Sequence, residues 1–166
     1  MAVLPLRFWP DPVLADACAP VGRITGAVRR LAADMLETMY AAPGRGLAAP
    51  QVGEALRLFV MDVAWKDGAR APRICIDPQI TWRGGLTATG AEACLSIPGV
   101  TARVRRPVTV ALRYTDLDGA RHTLRLTGAE ARVAQHEADH LDGRVTFDRL
   151  PPAQRRALEA AYAARV

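Results

Sequence analysis

The chain has 166 residues, 50% of them hydrophobic, and a formal net charge of +5. Such a chain can bury a real core, so one domain over residues 1–166 is expected, neither disordered nor fibrous. No run of about 18 apolar residues offers a membrane helix, the opening residues do not read as a secretory leader, and an odd cysteine set (Cys18, Cys75, Cys94) argues against a disulfide framework. A reducing cytoplasm is the expected compartment. Arginine carries nearly all the positive charge, with Lys66 the only lysine. The arginines are scattered, without the basic stripe and interleaved aromatics of a dedicated nucleic-acid reader, so specific DNA binding is not expected. The nearest candidate, Arg103, Arg105 and Arg106, reads as one face of a strand.

In chain order, Pro10, Asp11 and Pro12 suggest a turn-rich opening. Val28, Leu31, Met35 and Met39 then recur at helical spacing, predicting a helix over Thr25–Tyr40 that Pro43 and Gly44 stop. Gly44–Gln51 reads as a tight loop. Strands are predicted over Leu56–Val63, Ile74–Trp82 and Thr87–Leu95, the last leading into a turn at Ser96-Ile97-Pro98-Gly99. Arg103–Tyr114 contains at least one more strand, Asp118-Gly119 makes a hairpin turn, and His122–Leu126 returns from it. A helix follows over Gly128–Asp142, with Ala129, Ala131, Ala134 and Ala138 permitting close packing. Pro151 or Pro152 starts a last helix. The predicted fold class is α+β, with mostly antiparallel sheets packed around a central helix and further helices near both termini.

That central helix carries the most informative residues, His136-Glu137-Ala138-Asp139-His140. Two histidines about one turn apart can aim both imidazoles at one ion, and the glutamate beside them can take a proton from a water. A catalytic site of this kind wants a third protein ligand. No histidine lies downstream, and His122 is the only other one. A cysteine is the more attractive choice, and Cys94, in Glu92-Ala93-Cys94-Leu95-Ser96, has the best context. A thiolate favours Fe(II), zinc or related ions over magnesium. The competing reading of all three cysteines is inert burial. Glu92 is either a surface carboxylate or a group that orients a ligand.

Three motifs in order carry a resemblance: Gly44-Arg45-Gly46-Leu47-Ala48-Ala49-Pro50-Gln51, then Glu92-Ala93-Cys94-Leu95-Ser96, then Gln135-His136-Glu137-Ala138-Asp139-His140. With Pro10-Asp11-Pro12-Val13-Leu14 at the opening, the chain closely resembles the peptide deformylase family from about Leu4 to Leu150. The resemblance implies an α+β fold and one divalent metal per chain on Cys94, His136 and His140. Fe(II) is the implied physiological ion, with Zn(II), Ni(II) or Co(II) as alternatives. It implies Glu137 as general base, with the Gln51 amide and the Leu95 backbone N–H as donors to the formyl oxygen. The backbone around Gly46 would pair with an extended N-formylmethionyl peptide, and formate would be released. Arg45, Leu47, Leu95 and Val133 are candidate substrate contacts. The competing reading is core packing for Leu47, Leu95 and Val133. Transient ribosome contact is implied too, with Arg155, Arg156 and Arg165 in a basic tail.

Ala93 departs from the family's usual glycine. A positive φ there would strain an alanine by roughly 1 kcal/mol, whereas a negative φ would only add a methyl group. Gly99, Thr101 and Thr146 also depart from residues common in relatives, without touching the ligand set. Arg45, Ala93 and Thr101 motivate one alternative, a related metal-dependent amidase for a different N-acyl substrate; a second is a non-catalytic ribosome-associated binding protein that keeps the metal fold. The complete set Gln51, Cys94, His136, Glu137 and His140 argues against the second, because binding alone needs neither a base nor an oxyanion donor.

Overall fold

The computed structural model describes residues 1–165. Helix α1 spans Gly26–Ala41, capped by Thr25, whose hydroxyl accepts from the Val28 N–H at 3.3 Å. Seven strands follow: β1 (Gly46–Ala48), β2 (Leu58–Met61), β3 (Arg73–Arg83), β4 (Thr87–Cys94), β5 (Ile97–Pro107), β6 (Thr109–Thr115) and β7 (Arg121–Thr127). Helix α2 covers Gly128–Leu141 and α3 covers Pro152–Ala163. The strands make a five-stranded antiparallel sheet in the order β1-β2-β3-β6-β7 and a separate β4–β5 pair. The α+β architecture around a central helix is as the sequence predicts.

Strand β2 explains the layering. Successive side chains point to opposite faces of a sheet. Leu58 and Val60 pack with Val28, Met35 and Met39 of α1, while Phe59 and Met61 pack with Ala131 and Ala134 of α2. Both faces are covered, so Leu58–Met61 reads as an unbroken apolar run. Ala131 and Ala134 are fully buried and let α2 lie close to the sheet. On its other side α2 meets the β4–β5 pair, where Ile97, Ala102 and Val104 form a second core with Phe147 and Tyr162. Burying each of the larger side chains contributes about 1.5–3 kcal/mol.

Three local predictions are corrected or refined. Gly44–Gln51 is not merely a loop: Gly46–Ala48 pairs with β2, and Ala49–Val52 forms a 3-10 turn. The turn after Cys94 is Leu95–Ser96, and β5 begins at Ile97. Arg103–Tyr114, expected to hold at least one more strand, does so, dividing at Val108 into two strands that belong to different sheets. Arg103 and Arg105 share the exposed face of β5, but Arg106 lies on the opposite face and is buried. Strand alternation therefore breaks up the basic stripe. Among the described residues, no helix is long and apolar enough to cross a membrane.

Candidate active site

Four elements meet at a cavity of about 520 Å³. Strand β1 and the loop before it supply Gly44, Arg45 and Gly46; the 3-10 turn supplies Gln51; the β4–β5 hairpin supplies Ala91 to Leu95 and Ile97 to Val100; α2 supplies Ala129, Arg132, Val133, His136 and Glu137. His140 closes the group from one turn further along α2, 1% exposed.

Cys94, His136 and His140 bring one ligand atom each to within 4.8 Å of one another. The spacing of the histidines follows from the helix. Cys94 arrives from the end of β4, where a shift in pairing register between Ala93 and Cys94 re-aims the chain into the two-residue turn. His136 Nδ1 lies 2.9 Å from Glu92 Oε1, which leaves Nε2 for the centre. His140 Nε2 lies 3.4 Å from the Cys94 sulfur. Two imidazoles and a thiol suit iron, zinc, nickel or cobalt and do not suit magnesium or calcium. The residues present fit a single divalent ion.

Glu92 answers its open question. It is 6% exposed and accepts from both Nε and Nη2 of Arg106 (2.6 and 2.9 Å) and from Nη1 of Arg132 (2.7 Å), besides His136. Burial alone would raise its carboxyl; the hydrogen bonds from His136 and Arg106 outweigh it and hold the group at about 2. Arg106 also donates to Asp139, which accepts from Arg149 as well. Arg106, Arg132 and Asp139 escaped the sequence reading. The available signal was Arg106 falling one residue out of phase with Arg103 and Arg105.

Glu137 is 4% exposed, and its Oε2 has no hydrogen-bond partner. Burial is the largest influence on its carboxyl and pushes it up to about 7. An unpartnered buried carboxylate oxygen beside a ligand cluster has the features of a base awaiting a proton. Gln51 is 1% exposed, and its orientation follows from its partners. The Ala48 N–H requires an acceptor, so the side-chain oxygen is locked there at 2.9 Å and the NH2 group faces Ser96 Oγ (3.1 Å) and the Cys94 sulfur (3.8 Å).

The glycines of the first motif tie the three motifs together. A Cβ on Gly46 would lie 2.5 Å from Glu137 Oε1, and one on Gly44 would lie 2.7 Å from Leu95 Cδ1. At Gly46 the whole Glu137 carboxylate crowds the position, whereas at Gly44 an added methyl group would require the end of the Leu95 side chain to shift. Ala93 lies in β4 with no positive φ, so its methyl group stands exposed without backbone strain, facing Thr101 across the pair.

A family model described as polypeptide deformylase matches residues 3–156. The chain belongs to the polypeptide deformylase family. It is 46% identical over 158 residues to a peptide deformylase of Alkalilimnicola ehrlichii, covering 95% of this chain and 88% of that one. A peptide deformylase of Brucella suis is 43% identical over 155 residues, covering 93% and 89%. Among solved structures, the peptide deformylase of Ehrlichia chaffeensis in complex with actinonin superposes with a TM-score of 0.92 at 33% identity, covering 99% of this chain and 98% of that one. That of Thermus thermophilus gives 0.89 at 44% identity, covering 98% and 94%.

Set against the deformylase motifs, most singled-out residues meet in the cavity: Arg45, Gly46, Gln51, Cys94, Leu95, Val133, His136 and Glu137 all line it. Leu47 is a correction. Its side chain is fully buried with Met35, Met39 and Val60, because alternation along β1 sends Gly46 and Ala48 toward α2 and Leu47 toward α1. His122 is elsewhere, stacked on Tyr114 with Nε2 2.6 Å from Asp116. Cys18 and Cys75 are buried and unpaired.

Proposed function

We propose that this chain, as one catalytic domain over residues 1–166, is a metal-dependent hydrolase that removes the formyl group from N-formylmethionyl peptides and releases formate. The observation that carries this reading is the convergence of Gln51, Cys94, His136, Glu137 and His140 on one cleft beside the open edge of β1. Cys94, His136 and His140 would hold the ion. A divalent ion there, Fe(II) in the working enzyme with zinc, nickel or cobalt able to substitute, supplies Lewis acidity and lowers the pKa of a water.

The peptide lies extended along β1, which has β2 on one side only, and pairs with the backbone at Gly46. Its methionine side chain enters the cavity toward Val133. Glu137 Oε2 accepts a proton from the attacking water. The Gln51 NH2 group and the Leu95 backbone N–H donate to the formyl oxygen as charge develops on it. Glu137 then returns the proton to the departing amine. Arg106 and Arg132 act through Glu92, which fixes the tautomer and direction of His136. The enzyme acts in the cytoplasm on nascent chains, with transient ribosome contact through Arg155 and Arg156.

The test is formate release from N-formyl-Met-Ala-Ser by Fe(II)-loaded protein, beside Glu137→Ala. Turnover that is lost in the variant while metal binding persists supports the reading. No turnover by folded, metal-loaded protein overturns it. Turnover of free N-acyl amino acids in its place would assign the scaffold to a different amide.

A further inference from the structure

The buried acids of the cleft are spoken for, but its rim is not. Glu92 is neutralised by Arg106 and Arg132, and Glu137 lies inside, near the ligands. Around the mouth the charges are cationic and reach water. Arg45 lines the cleft with its side chain 40% exposed. Lys66, also a lining residue, is exposed, and the loop that carries it is tied to the first motif by the Trp65 indole N–H, which donates to the Gly44 carbonyl at 2.8 Å. The cation of Lys66 lies 5.7 Å above the Trp65 ring. Among the described residues, the ion pair in this group joins Arg45 to Asp67 at 3.7 Å, with the aspartate side chain 76% exposed.

A third cation comes from the far end of the chain. Gly99 lines the cleft with a φ of +84°, and a Cβ built on it would collide with the guanidinium of Arg165. A glycine at 99 thus gives up the volume that Arg165 fills, bringing the end of the C-terminal segment against the cleft wall. Arg45 and Lys66 place positive charge in the lining on the β1 side, and Arg165 adds a cation against Gly99 of β5, itself a lining residue. Cations grouped in this way around a concave site raise the local concentration of anionic ligands.

We propose that this rim selects formylated peptides with acidic side chains in the residues that follow the methionine, with Lys66 and Arg165 as specificity-determining residues. The inference rests on the deformylase reading above and names a substrate class for it. Arg45 and Lys66 line the substrate cleft itself, and Arg165 lies against its lining residue Gly99, which favours the peptide over an RNA surface as their partner. Exposed pairs of this kind are individually weak, so the expected selectivity is about three- to tenfold in kcat/KM, and screening reduces it.

The experiment compares N-formyl-Met-Asp-Ser, N-formyl-Met-Ala-Ser and N-formyl-Met-Lys-Ser on the metal-loaded enzyme at low and high ionic strength, for wild type and for Lys66→Gln with Arg165→Gln. The expected order is acidic, neutral, basic, carried by KM, with the acidic-to-basic ratio falling toward one in high salt and in the double variant. Turnover of the neutral peptide with no acidic preference overturns the inference and leaves the deformylase reading intact. A preference that survives the double variant overturns the assignment to these residues. Loss of ribosome co-sedimentation in the variant with an unchanged peptide ratio gives the rim to RNA and overturns it also. No turnover of any of the three peptides removes the underlying reading and the inference with it.

Discussion

Behind His136 the charges are buried and paired; at the mouth of the cleft they are exposed and loosely held. Glu92 is 6% exposed and accepts from four nitrogens of three residues, and Arg106 carries that pairing on to Asp139. The Arg45–Asp67 pair, by contrast, spans 3.7 Å with most of the aspartate in water. An ion pair's strength depends on the dielectric around it. The inner set fixes geometry, and breaking it leaves an uncompensated buried charge. The outer set contributes little to folding and can change without disturbing the ligands.

The largest effect that tests this contrast lies at the centre of the inner region. Glu137→Ala should lower formate release by about a thousandfold, in the range for a general base, with the ion still bound, as measured by metal analysis. Next, Glu92→Ala should cost about 3–5 kcal/mol in urea denaturation, because Arg106 and His136 lose their acceptor, and should weaken metal binding about 10- to 100-fold. A fully stable variant with tight metal binding would mean that the buried network is ornamental. Chelation should lower the melting temperature, since an ion present at about 100 times its Kd stabilises the fold by about 2.7 kcal/mol. A melt unaffected by chelator would show that the cluster holds no ion.

A smaller effect should appear at alkaline pH. Burial, then the 2.6 Å hydrogen bond to Asp62, push the Tyr40 hydroxyl up to about 12 from its usual 10.0. The unfolded chain loses that proton first. Stability is therefore present in full below about pH 10 and falls as pH rises through 10 toward 12. Tyr40→Phe should flatten that part of a pH series of denaturation curves relative to wild type. At the small end, Arg45→Gln should shift folding stability by less than about 1 kcal/mol in the same assay. A larger loss would erase the distinction between rim and interior.

The two regions were also unequally legible in the sequence. Helical spacing located α1 and α2, and the two histidines of α2 carried most of the site, because residues four apart share one face. Arg106 was hidden because its role depends on which sheet face it occupies, and one residue of phase separates it from Arg103 and Arg105. Strand β1 was hidden because a three-residue strand between glycine and proline has no period to detect. Leu47 was misread for the same reason: without the strand there was no alternation to turn it toward α1. Arg165 and Gly99 lie 66 positions apart, and no local pattern joins them.

Gly46 carries a last consequence. Its missing side chain is the space in which the Glu137 carboxylate sits. A scan of all substitutions would therefore score Gly46 among the most sensitive positions for turnover, although it has no functional group to lose. On the role proposed for Glu137, a requirement for turnover is written as empty volume, and an inventory of reactive side chains would overlook it.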